Sequence, residues 1–204
     1  MSSHWQTTLN KSMADLDFPV SLSNVLPEKD FMALQDELLT GWTLCNLSNA
    51  YNSRFWGFPG YEKPRLPFLS AAARIKLKMM KFLAQDLVLY KIHVNGQTCG
   101  QNSFFHTDSS LPQTYTFVLF MSPEWNTNWG GEFSVFNPVK QEYKFVAYTP
   151  NSGTFFPANW DHRGASPNSS TDKLRVSLAF SYCNPSIVKD VEKEGEGLYS
   201  KFLR

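Results

Sequence analysis

The chain of 204 residues predicts an α+β fold that is mainly β, a double-stranded β-helix (jelly roll) supported by N-terminal helices. Three observations predict it. The second half breaks into short β-rich runs separated by Gly, Asn, Pro and Ser clusters, with few long helical gaps between them. The first half carries the helical patterns. Aromatic residues reach 15% of the chain, 17 of them Phe, which suits packed sheets and an aromatic-lined pocket better than a helical bundle.

Taken in order, VLPEKDFMALQDELLTGW (25–42) reads as a helix with Pro27 in its first turn, Glu28 and Asp30 at its positive end and Gly41 as the stop. Residues 45–65, full of Asn, Gly and Pro, read as loop. A second helix is expected over Leu66–Leu83, with AAAR at its middle. After Asp86 come LVLYKIHV (87–94), TYTFVLFM (114–121), EFSVFNP (132–138), EYKFVAYTP (142–150), GTFFP (153–157) and LRVSLAFSY (174–182), each a candidate strand. The tail from 187 is charged and helical in character. The division expected is one domain over 1–204: helical support over about 1–85, jelly-roll core over about 86–183, and a charged tail over 184–204.

Composition narrows the function classes. Hydrophobic residues make up 42% and charged residues 18%, which excludes a disordered chain. Net charge is +1 and the basic residues are scattered; the one concentrated stretch, RIKLKMMK (74–81), reads as a solvated face of an amphipathic helix, so no nucleic-acid partner is expected. No run approaches membrane-spanning length, and no membrane partner is expected. Cys45, Cys99 and Cys183 are odd in number and lack metal-knuckle spacing, which suggests reduced thiols in a cytoplasmic compartment. Cys99 has no neighbouring base that would make it a nucleophile.

The chemistry concentrates at strand ends. In SFFHTDSS, His106 and Asp108 stand two apart, so on extended backbone they face the same way. His162, in FFPANWDHRGASP, follows another short strand. Two His and one carboxylate are the ligand set of non-haem Fe(II) with open positions, and a zinc site remains an alternative. Asp161 is the competing ligand beside His162. In LRVSLAF, Arg175 and Ser177 project to one side of a strand apolar on both faces. An inward arginine is costly without an anion, whereas its guanidinium grips a carboxylate with two parallel hydrogen bonds. Iron at one end and an Arg–Ser pair at the other suit a short dicarboxylate such as 2-oxoglutarate.

With HTD at 106–108, WGGEF at 129–133, His162 and RVS at 175–177, the chain resembles the Fe(II)/2-oxoglutarate-dependent oxygenases, in particular their prolyl 4-hydroxylase-like branch. The resemblance covers residues 87–182, about half of the chain. It implies iron held by His106, Asp108 and His162, 2-oxoglutarate as cosubstrate on Arg175 and Ser177, dioxygen, and ascorbate as supporting reductant. It also implies hydroxylation of a C–H bond, first of all in a prolyl residue of a peptide or protein, with release of succinate and CO2. A free amino acid or small metabolite is the second choice. The segment GASPNSSTDK (164–173) lengthens the spacing between His162 and Arg175. Where relatives carry Tyr–x–x–Gly, this chain has His93-Val94-Asn95-Gly96, so His93 is either a cosubstrate contact or a core histidine. The GGE turn reads as a tight reversal that lets strands close over the site. Trp125, Trp129 and Trp160 lie near the expected mouth, and residues 95–105 form a candidate lid.

Two other classes fit parts of the pattern. A non-catalytic cupin-like metal-binding module would have the jelly roll and the metal ligands but no use for Arg175. A metal hydrolase would need a general base, for which Glu132 is the candidate.

Overall fold

The computed structural model of the protein describes residues 16–46, 54–58 and 65–194. Within them the strands are β1 (Val20–Leu22), β2 (Thr43–Asn46), β3 (Arg54–Gly57), β4 (Val88–Gln97), β5 (Thr114–Phe120), β6 (Phe133–Asn137), β7 (Glu142–Val146), β8 (Gly153–Pro157), β9 (His162–Gly164) and β10 (Arg175–Cys183). The helices are α1 (Glu28–Glu37), α2 (Leu66–Leu83) and α3 (Val188–Lys193). One sheet has the order β1-β8-β5-β10-β4-β3-β2 and the other β7-β6-β9, with antiparallel neighbours throughout. This is the predicted double-stranded β-helix, mainly β with supporting helices.

The helices cover one face of the larger sheet. On α2 the buried residues Phe68, Ala71, Ala72, Ile75 and Met79 recur at helical spacing. They meet Phe117, Leu119, Leu178 and Phe180 from β5 and β10, and Phe31 and Leu34 of α1 join the same core. The Tyr182 hydroxyl donates to the Ala72 carbonyl at 2.8 Å, which gives that buried phenol a partner and ties helix to sheet. Arg74, Lys78 and Lys81 point to solvent, as the amphipathic pattern of 74–81 requires. Between the two sheets a second core gathers Val118, Phe120, Phe133, Val135, Tyr148 and Phe156. Central strands β5 and β10 are therefore buried on both faces.

The structure departs from the sequence expectations in places. Helix α1 ends at Glu37 rather than near Gly41, because the Trp42 indole turns back to donate to the Leu38 carbonyl at 2.8 Å and Gly41 reverses the chain at φ +95°. The stretch 45–65 is not all loop. It contributes to β2 and β3, which pair with each other and join the sheet through Trp56 opposite Gly96 of β4. No local alternation announces these strands. They form because Gly96 lacks a Cβ that would otherwise meet the Trp42 and Trp56 side chains at 3.0 Å. Strands β1 and β9 are three residues each, too short for a period to show. The N-terminal stretch up to residue 15, the tail beyond Glu194 and the Cys45 side chain lie outside the described residues; α3 is the described part of the helical tail. Among the described residues, no helix is long and apolar enough to cross a membrane.

Ile75 is fully buried between α2 and the sheet. Ile75→Ala is expected to lower stability by about 2–4 kcal/mol, measured by urea denaturation, and a loss within about 0.5 kcal/mol would show that α2 does not anchor the sheet.

Candidate active site

The floor of the site is built from β4 and β10. Their register sets Gln97 opposite Arg175, Asn95 opposite Ser177, His93 opposite Ala179 and Lys91 opposite Ser181. Alternation along each strand sends this set into the space between the sheets, while Ile92, Val94, Leu178 and Phe180 face the helices. The result is a cavity of about 430 Å³, walled by Phe55, Phe104, Phe105, Val118 and Phe133.

At one part of the cavity wall His106, Asp108 and His162 converge, with ligand atoms within 4.8 Å of one another. The segments that carry them are hydrogen-bonded together. His106 N–H donates to the His162 carbonyl at 3.1 Å, His162 N–H returns the bond at 3.0 Å, and Asp108 N–H donates to the Ala158 carbonyl at 2.9 Å. Each imidazole Nδ1 faces a backbone carbonyl, that of Phe104 at 2.9 Å for His106 and that of Trp160 at 3.0 Å for His162. A carbonyl only accepts, so both Nδ1 atoms carry a proton, and the Nε2 of each ring is the atom turned toward the Asp108 carboxylate. Those Nε2 atoms stand 3.8 Å and 3.5 Å from the two Asp108 oxygens. Thr116 on β5 donates to Asp108 Oδ2 at 2.6 Å and fixes the carboxylate plane.

The electrostatics match a cation site. Burial alone would raise the Asp108 pKa, but His162, the Thr116 hydroxyl and His106 hold the carboxyl well below the usual carboxylate range. Burial lowers the pKa of His106, and the neighbouring His162 lowers it further. For His162 burial acts downward too, yet Asp108 outweighs it and the net shift is upward. The donor set, two imidazoles and one carboxylate, fits a divalent iron.

Arg175 is 1% exposed. Its Nε donates to the Gly131 carbonyl at 2.7 Å and its Nη1 to Gln97 Oε1 at 2.9 Å. The guanidinium lies over the Tyr148 ring, 4.8 Å from the centroid. Nη2 is buried and has no hydrogen-bond partner among the described residues. Burial brings the Arg175 pKa down to about 10, so the side chain stays charged at neutral pH. A buried cation on a side chain that lines the cavity, with one nitrogen unpaired among the described residues, calls for an anion, and a carboxylate suits a guanidinium.

All six residues singled out by sequence line this cavity: His106, Asp108, His162, Arg175, Ser177 and His93. His93 Nε2 meets Asn95 Oδ1 at 2.7 Å. Asp161 is exposed and stands outside the ligand cluster. The lining does not include Glu132, the base a hydrolase would need. Nor do the three tryptophans form the mouth: Trp125 packs on Tyr148 and Trp129, and Trp160 on Phe18. Of the expected lid, Asn95–Gln97 belong to β4. The GGE turn proves to serve Arg175 rather than to close strands alone. Gly131, at φ +81°, has no Cβ where one would stand 3.2 Å from Arg175 Cδ, and Gly164 leaves similar room for Nη1 and Nη2. Segment 164–173 folds against this turn, with Asn168 N–H on the Trp129 carbonyl at 2.8 Å.

Sequence reasoning missed Thr116 and Gln97. Thr116 was legible as a polar residue in the apolar run TYTFVLFM, two before Val118. Gln97 continues the series His93, Asn95 by the same step of two, but lay in a stretch read as loop.

Comparison with known proteins agrees with the geometry. The model of the 2OG-Fe(II) oxygenase superfamily matches residues 89–182. No curated protein matches the chain. Among solved structures, the non-heme alpha ketoglutarate dependent epimerase SnoN from nogalamycin biosynthesis is 16% identical with a TM-score of 0.64, over 81% of this chain and 76% of that one. HygX from Streptomyces hygroscopicus, solved with nickel, 2-oxoglutarate and hygromycin B, is 11% identical with a TM-score of 0.63, over 82% and 83%. A Pseudomonas putida prolyl-4-hydroxylase is 16% identical with a TM-score of 0.57, over 81% and 92%. At these identities the likeness is one of fold. The core from β4 to β10 is that of the 2OG-Fe(II) oxygenase superfamily. Fe(II), 2-oxoglutarate and dioxygen are the cofactors that fit the site.

Gly131→Ala combines a disfavoured φ with contacts of 3.0 Å to Trp125 and 3.2 Å to Arg175. It is expected to cost about 1–3 kcal/mol in chemical denaturation, and a neutral substitution would show that the turn has slack around the guanidinium.

Proposed function

We propose that this protein is an Fe(II)- and 2-oxoglutarate-dependent dioxygenase that hydroxylates a C–H bond, with a prolyl residue in a peptide or protein as substrate and release of succinate and CO2. One observation carries the reading: a cavity that holds a His–Asp–His cluster also holds a buried, charged arginine with an unpaired N–H edge. A cupin-like binding module has no need of that second feature.

His106, Asp108 and His162 would hold the iron, each through atoms already turned toward the others. Iron and 2-oxoglutarate, when bound, supply oxidation of a C–H bond by dioxygen coupled to loss of CO2. The chain supplies position. Arg175 Nη2 would receive the distal carboxylate, with Ser177 and His93 beside it on the floor. Thr116 keeps the Asp108 carboxylate from rotating, and Phe55, Phe104, Phe133 and Val118 exclude water from the reacting centre. The helices, core and tail act as one domain, in keeping with the Ser109 hydroxyl that donates to Glu194 at 2.9 Å from the loop bearing Asp108. Cys99 and Cys183 are free thiols, which supports a reducing, cytoplasmic setting.

The prolyl substrate draws on the fold shared with the Pseudomonas putida enzyme. A small-molecule substrate is the second reading, favoured by the fold shared with HygX, which was solved with hygromycin B.

The test is succinate formation from 2-oxoglutarate with Fe(II), ascorbate and air, followed by a search among proline-containing peptides for a product gaining one oxygen. Wild type is expected to turn over, His106→Ala to lose both turnover and Mn(II) binding, and Arg175→Ala to lose about 100-fold in apparent affinity for 2-oxoglutarate. A silent wild type that also fails to bind 2-oxoglutarate under nitrogen would sink the reading. Thr116→Val removes the hydroxyl at constant shape. Metal titration should then show about ten-fold weaker Mn(II) binding, while unchanged affinity would mean that Thr116 does not orient Asp108.

A further inference from the structure

The side chain that shapes the arginine end of the cavity is Gln97. It is 3% exposed and its amide is saturated. Nε2 faces the Gln101 carbonyl at 2.7 Å, the Gly164 carbonyl at 3.1 Å and the Ser103 hydroxyl at 3.2 Å. Two of these are pure acceptors, so the nitrogen must point at them and Oε1 must point at Arg175 Nη1, 2.9 Å away. The amide orientation is thus dictated by its surroundings. With Nε committed to Gly131 and Nη1 to Gln97, Nη2 is the guanidinium nitrogen left without a hydrogen-bond partner among the described residues. A neutral acceptor matters here. It orients the guanidinium without neutralising it, whereas a carboxylate in its place would complete an internal ion pair and compete with any incoming anion.

The same amide reaches the segment above the cavity. Gln101 and Ser103 belong to the run from Thr98 to Phe105 that leads into His106, and Thr98 N–H is in turn held by Gln101 Oε1 at 2.7 Å. We propose that Gln97 is a positioning residue that selects a distal carboxylate through Arg175 and couples its arrival to the order of segment 98–105. This rests on the cosubstrate role given to Arg175 above.

The test compares two 2-oxo acids, 2-oxoglutarate and 2-oxobutyrate, which lacks the distal carboxylate. Affinities are measured under nitrogen on Mn(II)-loaded wild type and Gln97→Glu. Wild type is expected to prefer 2-oxoglutarate by about 100-fold, and Gln97→Glu to lose that preference while binding 2-oxobutyrate and Mn(II) as wild type does. A merely structural role would weaken both acids alike and leave the ratio standing, and that result, or an unchanged variant, would overturn the proposal. A wild type with no preference between the acids would instead refute the role of Arg175 itself. A second measurement needs no variant: 2-oxoglutarate, and not 2-oxobutyrate, should slow hydrogen exchange at the amides of Thr98, Gln101 and Ser103 in wild type. Equal protection by the two acids would overturn the coupling.

Discussion

A guanidinium enclosed between two sheets must be met by acceptors and π faces at close range, and much of the inner architecture follows from that demand. Around Arg175 the chain gives up two side chains, at Gly131 and Gly164, and brings the Tyr148 ring beneath the charge. The Tyr148 hydroxyl donates to the Val176 carbonyl, Ser122 N–H donates to that hydroxyl at 2.9 Å, and Ser122 Oγ donates to the Leu174 carbonyl at 2.9 Å. Backbone on both sides of the arginine is therefore pinned before any ligand arrives. The turn that carries Gly130 and Gly131 and the long connection after β9 are joined through the pairing of Gly130 with Pro167 and the bond from Asn168 N–H to the Trp129 carbonyl.

The metal-binding corner obeys a different logic. Its three side chains, those of His106, Asp108 and His162, sit on segments that bond to each other through their own main chains, and the histidine rings are oriented by backbone carbonyls. Phe133 and Phe156 pack on the His162 ring, with centroids 5.6 Å and 4.6 Å away. His162 is thus held rigidly inside, whereas His106 stands at the rim. The corner presents its lone pairs inward with little rearrangement left to make, which is what preorganisation of a metal site requires.

What the sequence revealed and what it hid divide along the range of the interactions involved. Helix α2 was legible to its ends, because Phe68, Ala71, Ile75 and Met79 repeat at a local period. The clustering of His106, Asp108 and His162 was legible because their chemistry is rare and their spacing is short or falls at strand ends. Arg175 stood out as a charge in an apolar run. By contrast, β3 exists through pairing with β4 some forty residues later, β2 is held in turn by β3, and neither leaves a pattern of its own. The meaning of the GGE turn was hidden for the same reason: what it accommodates comes from Arg175, 44 residues further on. Gln97 was lost to a boundary error, since a strand read as ending at Val94 cannot show that its inward face continues.

Strand β10 carries the floor of the cavity on one side, through Arg175, Ser177 and Ala179, and the helix-facing core on the other, through Leu178, Phe180 and Tyr182. Only one layer of main chain separates the two. Repacking on the dry side, such as a change of volume at Leu178 or beneath it on α2, shifts the backbone from which Arg175 and Ser177 project. In a laboratory evolution of this protein, substrate preference and thermal tolerance would accordingly travel together, and useful changes in selectivity would surface at positions that no ligand ever touches.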